Sequence, residues 1–171
     1  MMEQEFFDSL EKNPIIGIFG NTIFPNKSMG EGIKEKSEVI SELTKLLVRL
    51  EPRKVYIIPT KGVNLTSLMV LRYLQISYTI VNPYTGYFNG IQNRDKLKIV
   101  TGMEESSSVI TIGKKPKNAR GTVQALSDTE DFIIERSELI ISIVGAKPDK
   151  KLQNLNKKLP ESGKSVIFFK Y

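Results

Sequence analysis

The chain has 171 residues and a formal net charge of +6, with 40% hydrophobic and 26% charged residues, no cysteine and no histidine. This composition is that of an ordinary globular protein, and the length predicts one domain over residues 1–171. The lack of cysteine excludes disulfides and thiolate chemistry, and the lack of histidine excludes the usual general base and the histidine-based triads.

The sequence predicts a cytoplasmic protein without membrane association. No apolar run reaches the roughly 20 residues that span a bilayer. The amino-terminal stretch MMEQEFFDSLEKN is acidic and lacks the apolar segment of a secretory signal. The positive net charge fits either plain solubility or an anionic partner. Nucleic acid is the less expected partner, because no dense Lys/Arg block with interleaved aromatic residues is present.

Short apolar runs alternate with amphipathic stretches along the whole chain. The runs are expected to form strands at 14–19, 55–58, 78–81, 109–112, 139–144 and 166–169. Helices are expected at 2–11, 31–50, 63–75, 93–103, 122–136 and 149–159. Continuous apolar strands separated by amphipathic helices predict an α/β fold with a mostly parallel sheet covered by helices on both faces.

The turn between the second strand and the following helix is the strongest local candidate for a site. It reads Pro59-Thr60-Lys61-Gly62, and Gly62 allows the backbone to reverse within a few residues. Free N–H groups at the start of a helix, together with the helix dipole, favour an anion, and Lys61 adds positive charge. Asn64 either hydrogen-bonds a ligand or caps the helix.

Other strand ends complete the candidate site, because ligands of parallel sheets gather at the carboxyl ends of the strands. Tyr84 could stack on a base, or it could pack at the rim. The neighbouring loop at 85–90 suits a flap or a packing patch. The candidate ligand-binding residues are Gly20, Asn21, Thr22, Thr60, Lys61, Gly62, Asn64, Asn82, Tyr84, Gly145 and Lys147.

Hydrolysis would require a carboxylate in the same cleft, and the strand ends provide none. The nearest acids in the sequence are Asp95, Glu104, Glu105, Asp128 and Asp131. Of these, Asp131 is best placed to face inward from the helix expected at 122–136, although a solvated position on that helix is the more expected one. The basic run at 114–120, KKPKNAR, is either a solvated loop or a contact for a phosphate or partner.

The order of these elements resembles the YpsA-like branch of the SLOG superfamily, the Rossmann-like group that also holds the DprA proteins and the LOG-type, lysine-decarboxylase-like proteins. The motifs that carry the resemblance are IIPTKGVN at 57–64, VNPY at 81–84 and DFIIERSELI at 131–140. It spans about residues 14–171 and implies a Rossmann-like three-layer sandwich. The LOG-type motif PGGxGTxxE is absent, and the Gly-Thr at 121–122 has Ala125 where the glutamate would stand.

The resemblance implies three alternative functions. The leading one is binding of a nucleotide or nucleotide-derived small molecule at the carboxyl ends of the strands, without catalysis or in a regulatory role. The second is a nucleoside or nucleotide N-glycosidase-type hydrolase, which a carboxylate in the cleft would favour. The third is a DprA-like nucleic-acid-binding protein, which a contiguous basic face through 114–120 would favour. No cofactor or metal is expected, and a homo-oligomer is compatible with the sequence.

Overall fold

The computed structural model describes residues 9–21, 29–91, 93–145 and 147–171. The strands in these ranges are β1 (Ile15–Gly20), β2 (Lys54–Ile57), β3 (Tyr78–Tyr84), β4 (Ser108–Gly113), β5 (Leu139–Val144) and β6 (Ser165–Lys170). The helices are α1 (Met29–Leu50), α2 (Val63–Tyr73), α3 (Asn93–Glu104), α4 (Ala119–Arg136) and α5 (Lys150–Lys158). Short 3-10 turns form at Tyr87–Gly90 and Leu159–Ser162. Most of the helix expected at 2–11 lies outside the described residues. No described helix has the length and apolar character needed to cross a membrane.

The six strands form one parallel sheet in the order β4-β3-β2-β1-β5-β6. The prediction of a mostly parallel α/β sheet is confirmed. The strand order reverses at β1, which pairs with β2 on one side and with β5 on the other. Such a reversal is the topological switch point of an open α/β sheet, where ligands bind outside the carboxyl ends of the strands.

The helices cover both faces of the sheet and so give the three-layer Rossmann-like arrangement. From β1 to β4 the strands advance in one direction, so right-handed crossovers place α1, α2 and α3 on one face. The order then reverses, which places α4 and α5 on the opposite face. The two cores agree with this arrangement: one contains Leu43, Leu68 and Ile99, and the other contains Ile133 and Leu152.

Helix α4 begins three residues earlier than the hydrophobic pattern predicts, because Asn118 caps it. The Asn118 Oδ1 atom accepts a hydrogen bond from the Gly121 N–H at 2.8 Å. Val123 was expected in the core, but its side chain is 61% exposed. It lines a groove between α4 and α5 instead of contacting the sheet.

The amino ends of the strands are closed by paired charges. Arg72 forms two hydrogen bonds to the Glu105 carboxylate, both at 2.7 Å. Arg53 pairs with Glu138, whose other oxygen accepts the Ile15 N–H at 2.8 Å. That backbone hydrogen bond is the main reason why the pKa of Glu138 is lowered. This end of the sheet is therefore close to electrically balanced, unlike the carboxyl end.

Candidate functional site

A cleft opens at the carboxyl ends of β1 and β2, on the face that α4 and α5 cover. Its enclosed part measures about 40 Å³, room for a few water molecules, and the rest of the cleft is open to solvent. The apolar side chains that wall it are Phe19, Ile58, Leu126, Leu152 and Leu155. The other lining residues are Gly20, Thr60, Asn64, Tyr87, Glu130, Asp149 and Lys151. Apolar walls with a small number of polar groups are the usual make-up of a ligand pocket.

The turn between β2 and α2 positions one polar side chain in this cleft. Gly62 is the N-cap of α2 and has φ of 80° and ψ of −133°, a region that residues with a Cβ atom rarely adopt. The expectation that this turn depends on Gly62 is therefore confirmed. Asn64 is the second residue of the helix and not its cap, and it is 4% exposed.

The Asn64 side chain uses its amide nitrogen, but not its amide oxygen, in hydrogen bonds with the described residues. Its Nδ2 donates to the Ile58 carbonyl oxygen at 3.2 Å, which fixes the orientation of the amide because a carbonyl can only accept. Its Oδ1 is buried and has no hydrogen-bond partner among the described residues. A buried acceptor in this condition costs about 1–3 kcal/mol. Such a group in a pocket is expected to meet a donor from a ligand or a water molecule.

Glu130 is a second polar group that lines the cleft. It lines the cleft from α4 and is only partly exposed. In the described ranges no hydrogen bond or ion pair involves its carboxylate. Burial raises the pKa of Glu130 to about 7; Lys158 and Lys151 act against the rise, and Asp131 and Asp149 add to it. A carboxylic acid with a pKa near neutrality in a cleft is a marker of functional sites.

Tyr87 closes the cleft opposite α4. It lies in the 3-10 turn after β3 and lines the cleft together with Thr60. Burial raises the pKa of Tyr87, so that the hydroxyl remains protonated. The Tyr84 ring meets the Tyr87 ring edge to face, with centroids 5.3 Å apart. Of the two expectations for the loop at 85–90, a flap or a packing patch, the packing patch is confirmed, because Tyr87 and Phe88 pack against the two cores.

The predicted site residues do not all meet in the cleft. Gly20, Thr60 and Asn64 line it. Lys61 and Gly62 belong to the adjoining turn, where Lys61 is exposed. Tyr84 reaches the cleft only through Tyr87, and Asn82 is a buried β3 residue that is not among the lining residues. Thr22 lies outside the described residues.

Three further predicted residues meet at the switch point between β1 and β5, which is filled by protein. Asn21 is 1% exposed; its Nδ2 donates to the Lys147 carbonyl at 3.4 Å and its Oδ1 accepts the Asp149 N–H at 3.2 Å. A Cβ atom on Gly145 would lie 2.8 Å from the Tyr171 hydroxyl oxygen. Burial raises the pKa of Tyr171 to about 12, so this hydroxyl remains neutral. The open space therefore lies beside the switch point, toward β2.

Asp131, the acid best placed to enter the cleft, lies outside it in the solvated position that was the more expected one. Asp131 is exposed and accepts a hydrogen bond from Lys158 Nζ at 2.6 Å. One residue turns a helix by about 100°, which is why Glu130 and not Asp131 faces the cleft. The spacing of Leu126, Glu130 and Ile133 was the signal in the sequence, since these positions share a helix face. Within the described ranges, no cluster of three acids suits a metal ion.

Exposed cations gather along the carboxyl edge of the sheet, and we call this set the basic edge. Its members are Lys61, Lys114, Lys115, Lys117, Arg120, Lys147, Lys150 and Lys151. No member forms an ion pair with another described residue. The amino end of the sheet, in contrast, has Arg53 and Arg72 paired with glutamates. These exposed cations follow strand ends on the same side of the sheet as the cleft.

No protein-family model matches the sequence, and a comparison with curated proteins finds no match. The fold is similar to that of DNA processing protein A (DprA) from Streptococcus pneumoniae, with a TM-score of 0.50 and 11% identity over 92% of this chain and 59% of that chain. It is also similar to DprA from Helicobacter pylori, which binds single-stranded DNA, with a TM-score of 0.52 and 11% identity over 97% of this chain and 79% of that chain.

These similarities define the class of fold. The chain has the Rossmann-like three-layer fold found in the DprA proteins, as the resemblance of its motifs predicted. It spans less than two thirds of the S. pneumoniae protein. At 11% identity the similarity concerns the fold, and the function has to be argued from the site.

Proposed function

We propose that this protein binds a nucleotide or a nucleotide-derived small molecule in the cleft at the ends of β1 and β2. The observation that carries the proposal is the pair formed by Asn64 and Glu130. Both line one cleft; Asn64 Oδ1 is buried without a hydrogen-bond partner among the described residues, and Glu130 is a partly exposed acid whose pKa burial raises to about 7. Polar groups left unsatisfied between apolar walls favour a ligand that has flat apolar faces and polar edges.

The start of α2 gives such a ligand a place for a phosphate group. No side chain caps this helix, and the exposed Lys61 precedes it. Helix amino termini attract anions through their free N–H groups and the helix dipole. The start of α5 is less suitable, because the Asp149 carboxylate already accepts the Leu152 N–H there at 2.9 Å.

The proposal includes a closer relationship to the YpsA-like branch of the SLOG superfamily, with a binding role and not a catalytic one. In support, the three motif segments lie at strand ends and at a helix–strand junction, as the resemblance implies: 57–64 runs from β2 into α2, 81–84 ends β3, and 131–140 joins α4 to β5. Ala125 on α4 replaces the glutamate that a LOG-type enzyme would need.

The proposal predicts stabilisation by a nucleotide and its loss on replacement of Asn64. A ligand at about 100 times its dissociation constant adds about 2.7 kcal/mol to the free energy of unfolding, a rise of roughly 5–10 °C in melting temperature for a chain of this size. The probes are AMP, GMP, CMP, UMP, NAD and ADP-ribose. Asn64→Leu should abolish the rise caused by whichever probe binds. Ser67→Ala, a buried polar change in the same helix that does not line the cleft, should preserve it.

A panel without any rise in melting temperature would contradict the proposal. A rise that Asn64→Leu leaves unchanged would place the site elsewhere. The same mixtures, separated by chromatography, test the hydrolase alternative, which Glu130 alone supports because an acid is needed to protonate the departing base. We expect no release of free base, since the remaining cleft carboxylate, Asp149, is engaged as the cap of α5.

A second candidate function is binding of single-stranded nucleic acid, and the basic edge is the observation that favours it. Cations without ion-pair partners gain most from neutralising phosphates. The H. pylori neighbour binds single-stranded DNA, and it shares the fold of this chain. The basic run at 114–120 contributes four exposed members of this edge.

Fluorescence anisotropy with a labelled oligothymidylate tests this second candidate. If the run at 114–120 contacts phosphates, replacing Lys114, Lys115 and Lys117 with alanine should weaken binding. It should also make the slope of log affinity against log salt shallower by about 2, at roughly 0.7 per lost contact. A matched variant with alanine at Lys34, Lys36 and Lys45 of α1 should behave like the native chain. Equal loss in both variants would indicate a general charge effect and not a nucleic-acid interface.

A further inference from the structure

We propose that the cleft selects a guanine-type base, a neutral heterocycle with two adjacent N–H donors on one edge, and that Glu130 is the residue that reads this edge. The inference rests on the proposed function and assigns to its site a ligand class and a specificity-determining residue. Its basis is the hydrogen-bonding character of the groups that the cleft leaves unsatisfied.

Asn64 and Glu130 place acceptors in the cleft. The Asn64 amide is oriented by its donation to Ile58, so the atom left without a partner among the described residues is the oxygen. The Glu130 carboxylate, when ionised, has acceptor oxygens only. The hydroxyls of Thr60 and Tyr87, which also line the cleft, can accept as well as donate. The part of a ligand that lies beside Asn64 and Glu130 must therefore bring donors.

This requirement favours a base edge over a phosphate beside Asn64 and Glu130. A phosphate presents acceptors, so it would leave Asn64 Oδ1 unsatisfied and would be repelled by Glu130. Of the two lysines that act on the pKa of Glu130, Lys151 lines the cleft and is exposed, and Lys158 is hydrogen-bonded to Asp131. The donor-rich part of the ligand thus belongs beside Asn64 and Glu130, and any phosphate belongs near Lys151 or the start of α2.

Among the nucleobases, guanine fits a carboxylate best. Its ring N1–H and its exocyclic amine are adjacent and parallel, and they can donate together to the two oxygens of one carboxylate. Adenine and cytosine each place a ring acceptor beside the amine, and uracil has one N–H between two carbonyls. The second amino hydrogen or a ribose hydroxyl of a guanine nucleoside would then supply the donor for Asn64 Oδ1.

The charged and titratable groups that surround Glu130 predict that the affinity for the base depends on pH. These are Lys151, Lys158 and Asp149 from α5, Asp131 from α4, and Tyr87 from the 3-10 turn. Together with burial they give Glu130 a pKa of about 7. Because the base binds the ionised carboxylate, guanosine affinity should rise about tenfold from pH 6 to pH 8, following the ionised fraction.

Guanosine and inosine are the probes that test this inference, since they differ only in the exocyclic amine. Calorimetric titration of the full chain should show guanosine binding about tenfold or more tightly than inosine, the value of one charge-assisted hydrogen bond. Glu130→Gln should remove both this preference and the pH dependence, because the glutamine amide places a donor against a donor. Glu135→Gln, an exposed change on the same helix, should preserve both.

The outcomes separate this inference from the function on which it rests. If adenosine or cytidine binds more tightly than guanosine, or if affinity falls between pH 6 and pH 8, the assignment of the base is wrong while nucleotide binding stands. Equal binding of guanosine and inosine would also overturn it. If no nucleoside binds at either pH, both the inference and the proposed function fail.

Discussion

Replacing Glu130 with glutamine is expected to stabilise the protein by up to roughly 3 kcal/mol at pH 8. Burial raises the pKa of Glu130 from its ordinary value of 4.5 to about 7 in the folded chain. The folded state therefore binds more protons than the unfolded state between these two values, and the free energy of unfolding falls as the pH rises from about 4.5 to about 7. Glutamine has nearly the same shape and cannot ionise, so it removes this loss.

Chemical denaturation at a series of pH values measures this effect. The advantage of Glu130→Gln should be small near pH 4.5, grow up to about pH 7 and remain constant above it. At pH 8 it should correspond to a rise of about 5–10 °C in melting temperature. Glu135→Gln is the matched control, and its stability should not change in this pattern. A loss of stability in Glu130→Gln at pH 8 would show that the ionised carboxylate has a stabilising partner in the native chain.

A gain in stability at the expense of ligand binding is the expected signature of a functional residue. Proteins tolerate an unfavourable buried group where it serves binding or catalysis. Asn64 belongs to the same category, because its Oδ1 is buried without a partner among the described residues. The protein with an empty cleft is therefore less stable than its fold alone would allow.

Gly20→Ala is expected to destabilise the protein by about 1–3 kcal/mol through overpacking. A Cβ atom at this position would lie 2.3 Å from Cγ1 and 2.7 Å from Cβ of Val63, at the start of α2. Val63 is a stiff β-branched residue, and its N–H is held by the Asn21 carbonyl at 2.9 Å. The start of α2 must move to make room, and Asn64 moves with it, so ligand binding should fall together with stability.

Gly113→Ala is the control for this prediction. It also lies at the end of a parallel strand, but its nearest non-neighbouring atom would be 3.4 Å from the new Cβ, an ordinary contact. This change should be neutral or slightly stabilising, because alanine restricts the unfolded chain. Unfolding by urea measures both variants. Equal stabilities for the two would mean that α2 does not pack against β1 as closely as the structure places it.

The fold could be predicted well from the sequence because strand and helix periodicities agree along the chain. Apolar runs such as 55–58 and 139–144 are too short for helices and are followed by amphipathic stretches, which leaves few alternatives to a parallel sheet. The Gly62 turn was predictable for a similar reason, since a rapid strand-to-helix reversal favours glycine. Capping by Asn118 was missed, and α4 therefore begins earlier than expected.

The site was only partly predictable, because it depends on packing between distant segments. Gly20, Thr60 and Asn64 could be found from their positions at strand ends. Tyr87 enters the cleft from a loop whose path no periodicity determines. Asn21 and Tyr171 meet at the switch point although they are 150 positions apart in the sequence. Sequence patterns alone do not reveal such a contact. Glu130 is the residue before Asp131, the acid considered from the sequence. The helix face that Glu130 shares with Leu126 and Ile133 was the signal for its position.

The most direct test of the account is to observe the cleft itself during titration. In nitrogen–proton correlation spectra of the labelled chain, guanosine should shift the Asn64 side-chain amide and the backbone signals of Thr60, Tyr87 and Glu130. The basic edge, represented by Lys114 and Lys117, should change little. Changes confined to the basic edge, or to the switch point around Asn21, would contradict the claim that this cleft is the binding site.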